Sequence, residues 1–260
     1  MNIQVLAAAV SKDPKVLAES MNLRTDAIIV NQCEHYGYEE FERNGFRIQC
    51  FSMKERGVGL NRNTALLHAD GEIVLFSDED IRFYDDYAEK ISAAFAANPD
   101  ADVLTFNFKV HESRATYYNR EERRIRWHNY GRYPTFAVAA KLESLRKANV
   151  SFSLLFGGGA RYSNGEDSLF LRDCLKAGLH MYTSVAEIGE EIYRESTWFQ
   201  GYNEKFFTDR GVLYHFLYGA LAKPLSLRFL YAHKAEMCNE ISVKEAYRFM
   251  KKGIDEGRLR

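Results

Sequence analysis

The 260-residue sequence lacks long apolar runs, and its four cysteines show no C-x-x-C spacing. Scattered cysteines argue against a disulfide framework and against a zinc site of the finger type. No segment approaches the ~20 consecutive apolar residues that a membrane-spanning helix needs. The first residues have neither the basic leader nor the apolar stretch of a signal peptide. These absences predict a cytoplasmic protein, either soluble or attached to a membrane surface.

The sequence also lacks an excess of either charge. Its 35 basic and 36 acidic residues give a net charge of -1. Because binding to nucleic acid depends largely on a basic field, this balance predicts no nucleic-acid partner. Hydrophobic residues make up 46% of the chain, which is enough for the core of one large domain or two small ones.

Short apolar runs alternate with helical patterns, which predicts an α/β fold with a mostly parallel central sheet and flanking helices. The predicted strands cover residues 3–9, 26–30, 47–51, 73–76, 103–108 and 136–140. The predicted helices cover residues 14–20, 61–69, 86–97, 142–149 and 166–177. Residues 110–134 are rich in Arg, Tyr and Trp, and their alternation favours an extended hairpin or flap. We expect one α/β domain over residues 1–205 and a C-terminal helical extension over residues 206–260.

An acidic cluster follows the strand predicted at residues 73–76. Asp78, Glu79 and Asp80 come almost directly after four consecutive apolar residues. Ligands of open α/β sheets bind at the carboxyl ends of the strands, where these carboxylates are expected. Neighbouring carboxylates repel each other unless a cation lies between them, and hard oxygen ligands suit Mg²⁺ or Mn²⁺. A solvated acidic turn remains the alternative, as does the D-x-D nucleophile of the haloacid-dehalogenase phosphatases.

Two longer segments carry a family resemblance. Residues 56–80 read RGVGLNRNTALLHADGEIVLFSDED, and residues 157–178 read GGGARYSNGEDSLFLRDCLKAG. Together they resemble the family-2 glycosyltransferases of the GT-A (Rossmann-like) fold. In that family a G-x-x-x-x-R-N helix leads to a D-x-D, and a later G-E-D opens a second helix. The resemblance covers roughly residues 1–200.

The resemblance implies roles for particular residues. A nucleotide-diphosphate sugar, expected to be a UDP-sugar, would lie in the half formed by residues 1–108. It would contact Ala9, Asn31, Gln32, Arg62, Asn63, Asp78 and Glu79. Asp80 and Asp78 would hold Mn²⁺ or Mg²⁺. Asp167, with its neighbour Glu166, would act as general base in the acceptor half, residues 109–205. The acceptor would contact Gly158, Trp198, Arg194 and Tyr133. Arg62 and Asn63 are expected in the first turn of their helix, where backbone N–H groups favour anions.

Three features depart from the family pattern. The segment after the first strand reads AAVS where the family has a Pro-Thr-x-Asn type, and the second strand ends in Asn31-Gln32 where the family has Asp. The segment GEEIYRESTWFQG offers no His as a further metal ligand. These departures leave a second hypothesis open, a nucleotide-sugar-binding protein without turnover. The first hypothesis is an inverting hexosyltransferase that acts on a saccharide or lipid-linked acceptor in the assembly of bacterial surface polysaccharide such as capsule.

The C-terminal part suggests contacts beyond the substrates. Residues 211–231 are mostly apolar and are accompanied by Lys223, Arg228 and Lys234. This pattern predicts an interfacial helix on the inner face of the cell membrane, with Leu227 and Leu230 toward the lipid. Packing on the catalytic domain or a homo-oligomer contact is the alternative.

Overall fold

The computed structural model describes residues 1–112, 117–192 and 201–259. The strands are β1 (Ile3–Val10), β2 (Asp26–Gln32), β3 (Gly37–Arg43), β4 (Phe46–Met53), β5 (Ile73–Asp78), β6 (Ile81–Phe83), β7 (Val103–Lys109), β8 (Val138–Lys141) and β9 (Met181–Glu191). The helices are α1 (Pro14–Ser20), α2 (Val58–His68), α3 (Tyr87–Ala97), α4 (Leu142–Ala148), α5 (Glu166–Lys176), α6 (Glu204–Tyr218), α7 (Ala222–Ala232), α8 (Lys234–Met237) and α9 (Val243–Gly257).

Within the described ranges, the strands form one sheet in the order β3-β4-β2-β1-β5-β8-β7-β9-β6. Pairing is parallel across β4-β2-β1-β5 and between β7 and β9. The strands β3, β8 and β6 run antiparallel to their neighbours, so the sheet is mixed. From β1 the chain continues to β2 and β4 on one side and returns to β5 on the other. A crevice for ligands is therefore expected at the carboxyl ends of β1 and β5.

Both faces of the central strands are buried, which explains their continuous apolar sequences. Val5 and Leu75 belong to a core on one face, where α1 and α3 pack. Leu6 and Phe76 belong to a core on the other face, which includes residues of α2 and α5. The predicted α/β class is confirmed.

Some predicted elements differ from the structure. The hairpin strand β3 was not predicted, because this edge strand is largely exposed and carries no apolar alternation. The strand at residues 73–78 is therefore the fifth in the chain. Residues 117–134 contain no hairpin strands; they contain an isolated bridge from Arg124 to Tyr182 and a short 3-10 turn, Tyr130–Arg132. The hairpin or flap expected over residues 110–134 also includes residues 113–116, which lie outside the described residues.

The helix α2 begins at Val58, earlier than the predicted residue 61. Gly57 precedes it with φ +127°, a conformation that suits glycine and allows the helix to start there. Arg62 and Asn63 therefore lie in the second turn, and their expected place among the free N–H groups of the first turn was wrong.

The C-terminal helices form their own small core. The helices α6 and α9 pack very closely, since a Cβ on Gly211 would lie 2.1 Å from the Met250 carbonyl oxygen. Leu230 is fully buried in this core, whereas Leu227 is 39% exposed. The expectation that both leucines face a lipid surface was wrong for Leu230, because this side of α7 packs against α6 and α9. Of the helices in the described ranges, none combines the length and apolarity required to cross a membrane.

Candidate active site

The predicted acidic cluster lies at the switch point of the sheet. Asp78 pairs in register with Ala8 at the end of β1. Glu79 turns back over this end, where it accepts a hydrogen bond from the Val10 backbone nitrogen (2.7 Å) and pairs with the Lys12 ammonium (3.1 Å). All three acids of the cluster are partly exposed next to the crevice.

Arg62 connects this cluster with the second predicted one. Its Nη2 donates to Asp78 Oδ1 (2.9 Å), and its Nη1 donates to Asp167 Oδ1 (3.0 Å) and to Glu166 Oε1 (3.3 Å). The side chain is only 4% exposed, and its guanidinium lies over the Phe152 ring, 5.4 Å from the centroid. One cation therefore brings together carboxylates more than 80 residues apart in the sequence.

The site holds three carboxylates around one guanidinium. Burial and these charges shift the pKa of Glu166 and of Arg62. Burial raises the pKa of Glu166 to about 7, and the negative charge of Asp167 adds to the effect. Burial alone would lower the pKa of Arg62, but the charges of Asp78, Asp167 and Glu166 outweigh it and raise that pKa. Arg62 stays charged, and Glu166 takes up a proton near neutral pH.

Asp167 is oriented by a second donor that the sequence did not reveal. The Thr135 hydroxyl donates a short hydrogen bond to Asp167 Oδ1, the atom that also accepts from Arg62. Thr135 is 1% exposed and lies in a short 3-10 turn after Pro134. Because both donors use Oδ1, the other carboxylate oxygen is the better placed to accept a proton. A single threonine outside any motif gave no signal in the sequence.

The acids Glu166 and Asp167 occupy the first turn of α5, as predicted. The residue before the helix is Gly165, with φ +118°, so neither acid serves as the N-cap. Gly157 lies against Glu166, since a Cβ there would come within 2.9 Å of Glu166 Oε2. The Gly158 carbonyl accepts from the Val58 backbone nitrogen (2.9 Å) and so fixes the start of α2 beside the same loop.

The predicted amides hold the loops around the crevice. Asn31 exchanges two hydrogen bonds with the Lys12 backbone (2.7 and 3.1 Å), and Gln32 donates to the Gly57 carbonyl (2.8 Å). Asn63 exchanges two with the Phe152 backbone (2.9 and 2.8 Å). The backbone of Ala9 lies beside Asn61, whose amide donates to the Val30 carbonyl (2.7 Å). These side chains are engaged by the protein itself.

The predicted acceptor residues lie in different situations. Tyr133 is buried, with its ring packed edge-on against Tyr117, and its hydroxyl has no hydrogen-bond partner among the described residues. Gly158 lies in the loop beside Glu166. Arg194 and Trp198 lie outside the described residues.

The oxygen atoms of Asp78 and Asp80 suit a hard divalent cation. Mg²⁺ and Mn²⁺ sites at nucleotides commonly use one or two carboxylates together with substrate phosphates. In the part of the chain that the structure describes, no group of three His, Cys, Asp or Glu side chains is arranged to hold a metal. The chemistry of the donor set fits a cation that a substrate phosphate helps to bind.

Comparisons with known proteins agree with this picture. The model of a family described as Glycosyl transferase family 2 matches residues 19–151, slightly more than half of the chain. The structure resembles S. aureus TarS 1–349 in complex with UDP-GlcNAc, with a TM-score of 0.65 and 16% identity over 99% of this chain and 90% of that chain. It also resembles TarS 1–349 crystallised without a named ligand, with a TM-score of 0.62 and 15% identity over 99% and 83% of the two chains. No curated protein sequence gives a significant match.

The raised pKa of Glu166 makes stability depend on pH. Between about pH 4.5 and 7 the unfolded chain releases this proton while the folded protein keeps it, so the contribution of Glu166 to stability falls as the pH rises. The Glu166→Gln variant does not titrate. We expect its unfolding free energy, relative to the wild type, to increase by roughly 3 kcal/mol from pH 4.5 to pH 8. Urea denaturation at both pH values measures this difference. Glu204→Gln, at an exposed first-turn glutamate of α6, is the control. A difference that is constant or reversed would contradict the assignment.

Proposed function

The chain belongs to glycosyl transferase family 2, and from this premise we propose that it transfers a sugar from a UDP-sugar to an acceptor hydroxyl with inversion. The family makes the protein a glycosyltransferase, and the likeness to TarS confirms the GT-A fold. The observation that carries the proposal is the Arg62 bridge between Asp78 and Asp167, because it places the donor end of the sheet next to a carboxylate suited to act as base.

The donor is proposed to lie across the carboxyl ends of β1 and β5. TarS, the fold neighbour, was crystallised with UDP-GlcNAc and with UDP, which supports a uridine nucleotide here. Ala9 is the residue before the last of the central strand at this crevice, and Arg62 borders the crevice. Asn31, Gln32 and Asn63 hold the surrounding loops, so we propose that they act on the nucleotide mainly by fixing these loops.

Asp80 and Asp78 are the residues proposed to hold a divalent cation. When bound, such an ion stabilises the negative charge that develops on the leaving diphosphate. Asp78 also pairs with Arg62, which neutralises part of its charge inside the protein. Glu79 is paired with Lys12 and the β1 end, and its proposed role is to fix the loop that carries Asp80.

Asp167 is the proposed general base. Its side chain is 32% exposed, whereas that of Glu166 is 12% exposed, so Asp167 is the easier of the two for an acceptor to reach. Its Oδ1 is held by Arg62 and Thr135, which leaves the other carboxylate oxygen for an acceptor hydroxyl. Glu166, protonated near neutral pH, limits the negative charge beside the base. Gly158, Tyr133, Arg194 and Trp198 remain the proposed contacts of the acceptor.

The acceptor is proposed to be a saccharide or lipid-linked chain in cell-surface polysaccharide synthesis. A membrane-facing position is supported by the exposed Leu221, Leu227 and Tyr231 on and before α7, next to Arg228. Apolar side chains with basic neighbours favour an anionic lipid surface. Binding of the protein to the inner face of the membrane would bring a lipid-linked acceptor to the site.

The first test concerns Asp80. We expect Asp80→Ala to lower kcat/KM for sugar transfer by about a thousandfold, because metal stabilisation of the leaving group is worth several kcal/mol. Thermal shift with UDP and Mn²⁺ should show a synergistic increase in Tm for the wild type and none for the variant. Asp85→Ala, five residues away and in an exposed ion pair, is the control. Full transfer activity in a folded Asp80→Ala protein would refute the role.

The second test concerns the base. Asp167→Asn should keep the affinity for the UDP-sugar and reduce kcat by about 10²- to 10⁴-fold, the usual effect of general-base catalysis. Asp173→Asn, an acid further along α5, is the matched control. If Glu166→Gln loses turnover while Asp167→Asn keeps it, the base is Glu166. Donor binding without any turnover in the wild type would favour a binding protein over an enzyme.

The third test concerns Thr135 as a positioning residue. Thr135→Val keeps the shape but removes the donor to Asp167, and a hydrogen bond to a charged group is worth about 1.5–3 kcal/mol. We expect kcat to fall about 10- to 100-fold with little change in the KM of the donor, and Thr135→Ser to restore most of it. Thr64→Val is the control, because it removes a hydroxyl that donates to the Leu60 carbonyl (2.9 Å) and to the Met53 sulfur (4.0 Å) and contacts none of the acids. Equal kcat in Thr135→Val and the wild type would remove Thr135 from the mechanism.

A further inference from the structure

An arginine in the C-terminal helices is enclosed by aromatic rings. The guanidinium of Arg210, on α6, lies 5.3 Å from the ring centroid of Phe206 and 5.3 Å from that of Phe229 on α7. Both rings present their faces to the cation, which is favourable. The phenol groups of three tyrosines also lie near the guanidinium: Tyr202, Tyr214 and Tyr218. The arginine thus stands in a half-buried aromatic cage.

This cation has no anionic partner within the residues that the structure describes. Its Nε is buried and makes no hydrogen bond, and no carboxylate pairs with it. Arg62 and Arg172, which are also buried, both pair with carboxylates. Burial lowers the pKa of Arg210, and its neighbouring phenols counteract this only in part. Arg210 differs from Arg62 and Arg172 in having no carboxylate partner among the described residues.

The unpaired cation is costly. Removing a charge from water costs several kcal/mol unless an opposite charge or hydrogen bonds compensate for it. A methionine or leucine would fill the space between Phe206 and Phe229 without this penalty. The arrangement is therefore best explained by a partner that arrives from outside the chain and carries negative charge.

A second donor stands beside Arg210. Tyr214 lies one helical turn further along α6, and its hydroxyl has no hydrogen-bond partner among the described residues. Of the neighbouring phenols, Tyr202 already donates to Glu236 (2.6 Å), and Tyr218 lies close to Tyr130. A guanidinium and a free hydroxyl on one helix face match the oxygen atoms of a phosphate group.

The cage is connected to the acceptor half of the enzyme. Asp209, next to Arg210, accepts a hydrogen bond from the Ser163 backbone nitrogen (3.0 Å), just before the helix that carries Asp167. Tyr218 lies close to Tyr130, so the same helix neighbours the Arg-, Tyr- and Trp-rich segment. We propose that Arg210 and Tyr214 bind a phosphate or pyrophosphate group of the acceptor. The assignment of this phosphate to the acceptor rests on the proposed function, whereas the anion site itself does not.

Calorimetric titration with inorganic pyrophosphate, in the presence of saturating UDP to fill the donor crevice, tests the site. We expect Arg210→Met to weaken pyrophosphate binding at least tenfold and Tyr214→Phe to weaken it severalfold. Arg248→Met should have no effect; Arg248 lies on α9, exposed, over the Phe249 ring at 5.2 Å, and is the matched control. Because the cation is unpaired, Arg210→Met should melt at the same temperature as the ligand-free wild type or higher.

Several outcomes would overturn the proposal. One is an unchanged pyrophosphate affinity in Arg210→Met or in Tyr214→Phe. Another is no pyrophosphate binding by the wild type. A third is a lower Tm of Arg210→Met together with normal pyrophosphate binding by Tyr214→Phe. If Arg210→Met does not fold, Tyr214→Phe alone decides. Normal UDP binding by Arg210→Met would separate this site from the donor site, so that failure of one leaves the other standing.

A vesicle arm identifies the source of the phosphate. Phosphatidylcholine vesicles with and without a polyprenyl phosphate are sedimented with the wild type and with Arg210→Met. Binding that needs both the lipid phosphate and Arg210 indicates a lipid-borne group. Arg210-dependent binding of pyrophosphate without vesicle binding indicates a soluble or polymeric acceptor.

Discussion

The site depends on one buried guanidinium. Among the described contacts, Arg62 is the only cation that Asp78, Glu166 and Asp167 share. Its Nη2 donates to Asp78, and its Nη1 donates to both Glu166 and Asp167. Without it, three carboxylates would face one another in a poorly solvated space, where repulsion would protonate them or push them apart. The planar fork of arginine can serve two directions at once, which the point charge of lysine cannot do. The end of β5, which carries Asp78, and the start of α5 are consequently one electrostatic unit.

That unit is supported by a second set of contacts. Asn63, next to Arg62, binds the backbone of Phe152 through both atoms of its amide, and the Phe152 ring carries the Arg62 guanidinium. The Thr135 hydroxyl donates to Asp167, which is one of the carboxylates that Arg62 also binds. These groups contact no substrate themselves. They fix Asp167 Oδ1, so that the other oxygen of this carboxylate stays available.

The sequence predicted the elements of this site better than their connections. The apolar strand before Asp78 and the helix opened by Glu166 were found where expected, because burial and helix-start signals are local. Arg62 was singled out by family resemblance, but its three partners depend on how α2 and α5 pack. Thr135 could not be predicted, since a hydroxyl finds its partner only in the folded chain. The exposed strand β3 and the early start of α2 at Gly57 were missed, because one has no apolar periodicity and the other depends on a positive φ.

The family match covers residues 19–151, so Glu166 and Asp167 lie outside it, and their position must be explained by the fold itself. Gly165, which precedes them, is packed so closely on Leu213 of α6 that a Cβ would lie 2.5 Å from its methyl carbon. The helix α6 is in turn held by α9 at Gly211 and Gly253, where no side chain would fit. Glu166 and Asp167 are therefore held from two directions, by Arg62 and by the packing of Gly165 on α6. A change in the packing of the C-terminal helices is expected to displace the start of α5 while leaving the strand that carries Asp78 in place. The C-terminal helices thus support the position of both acids.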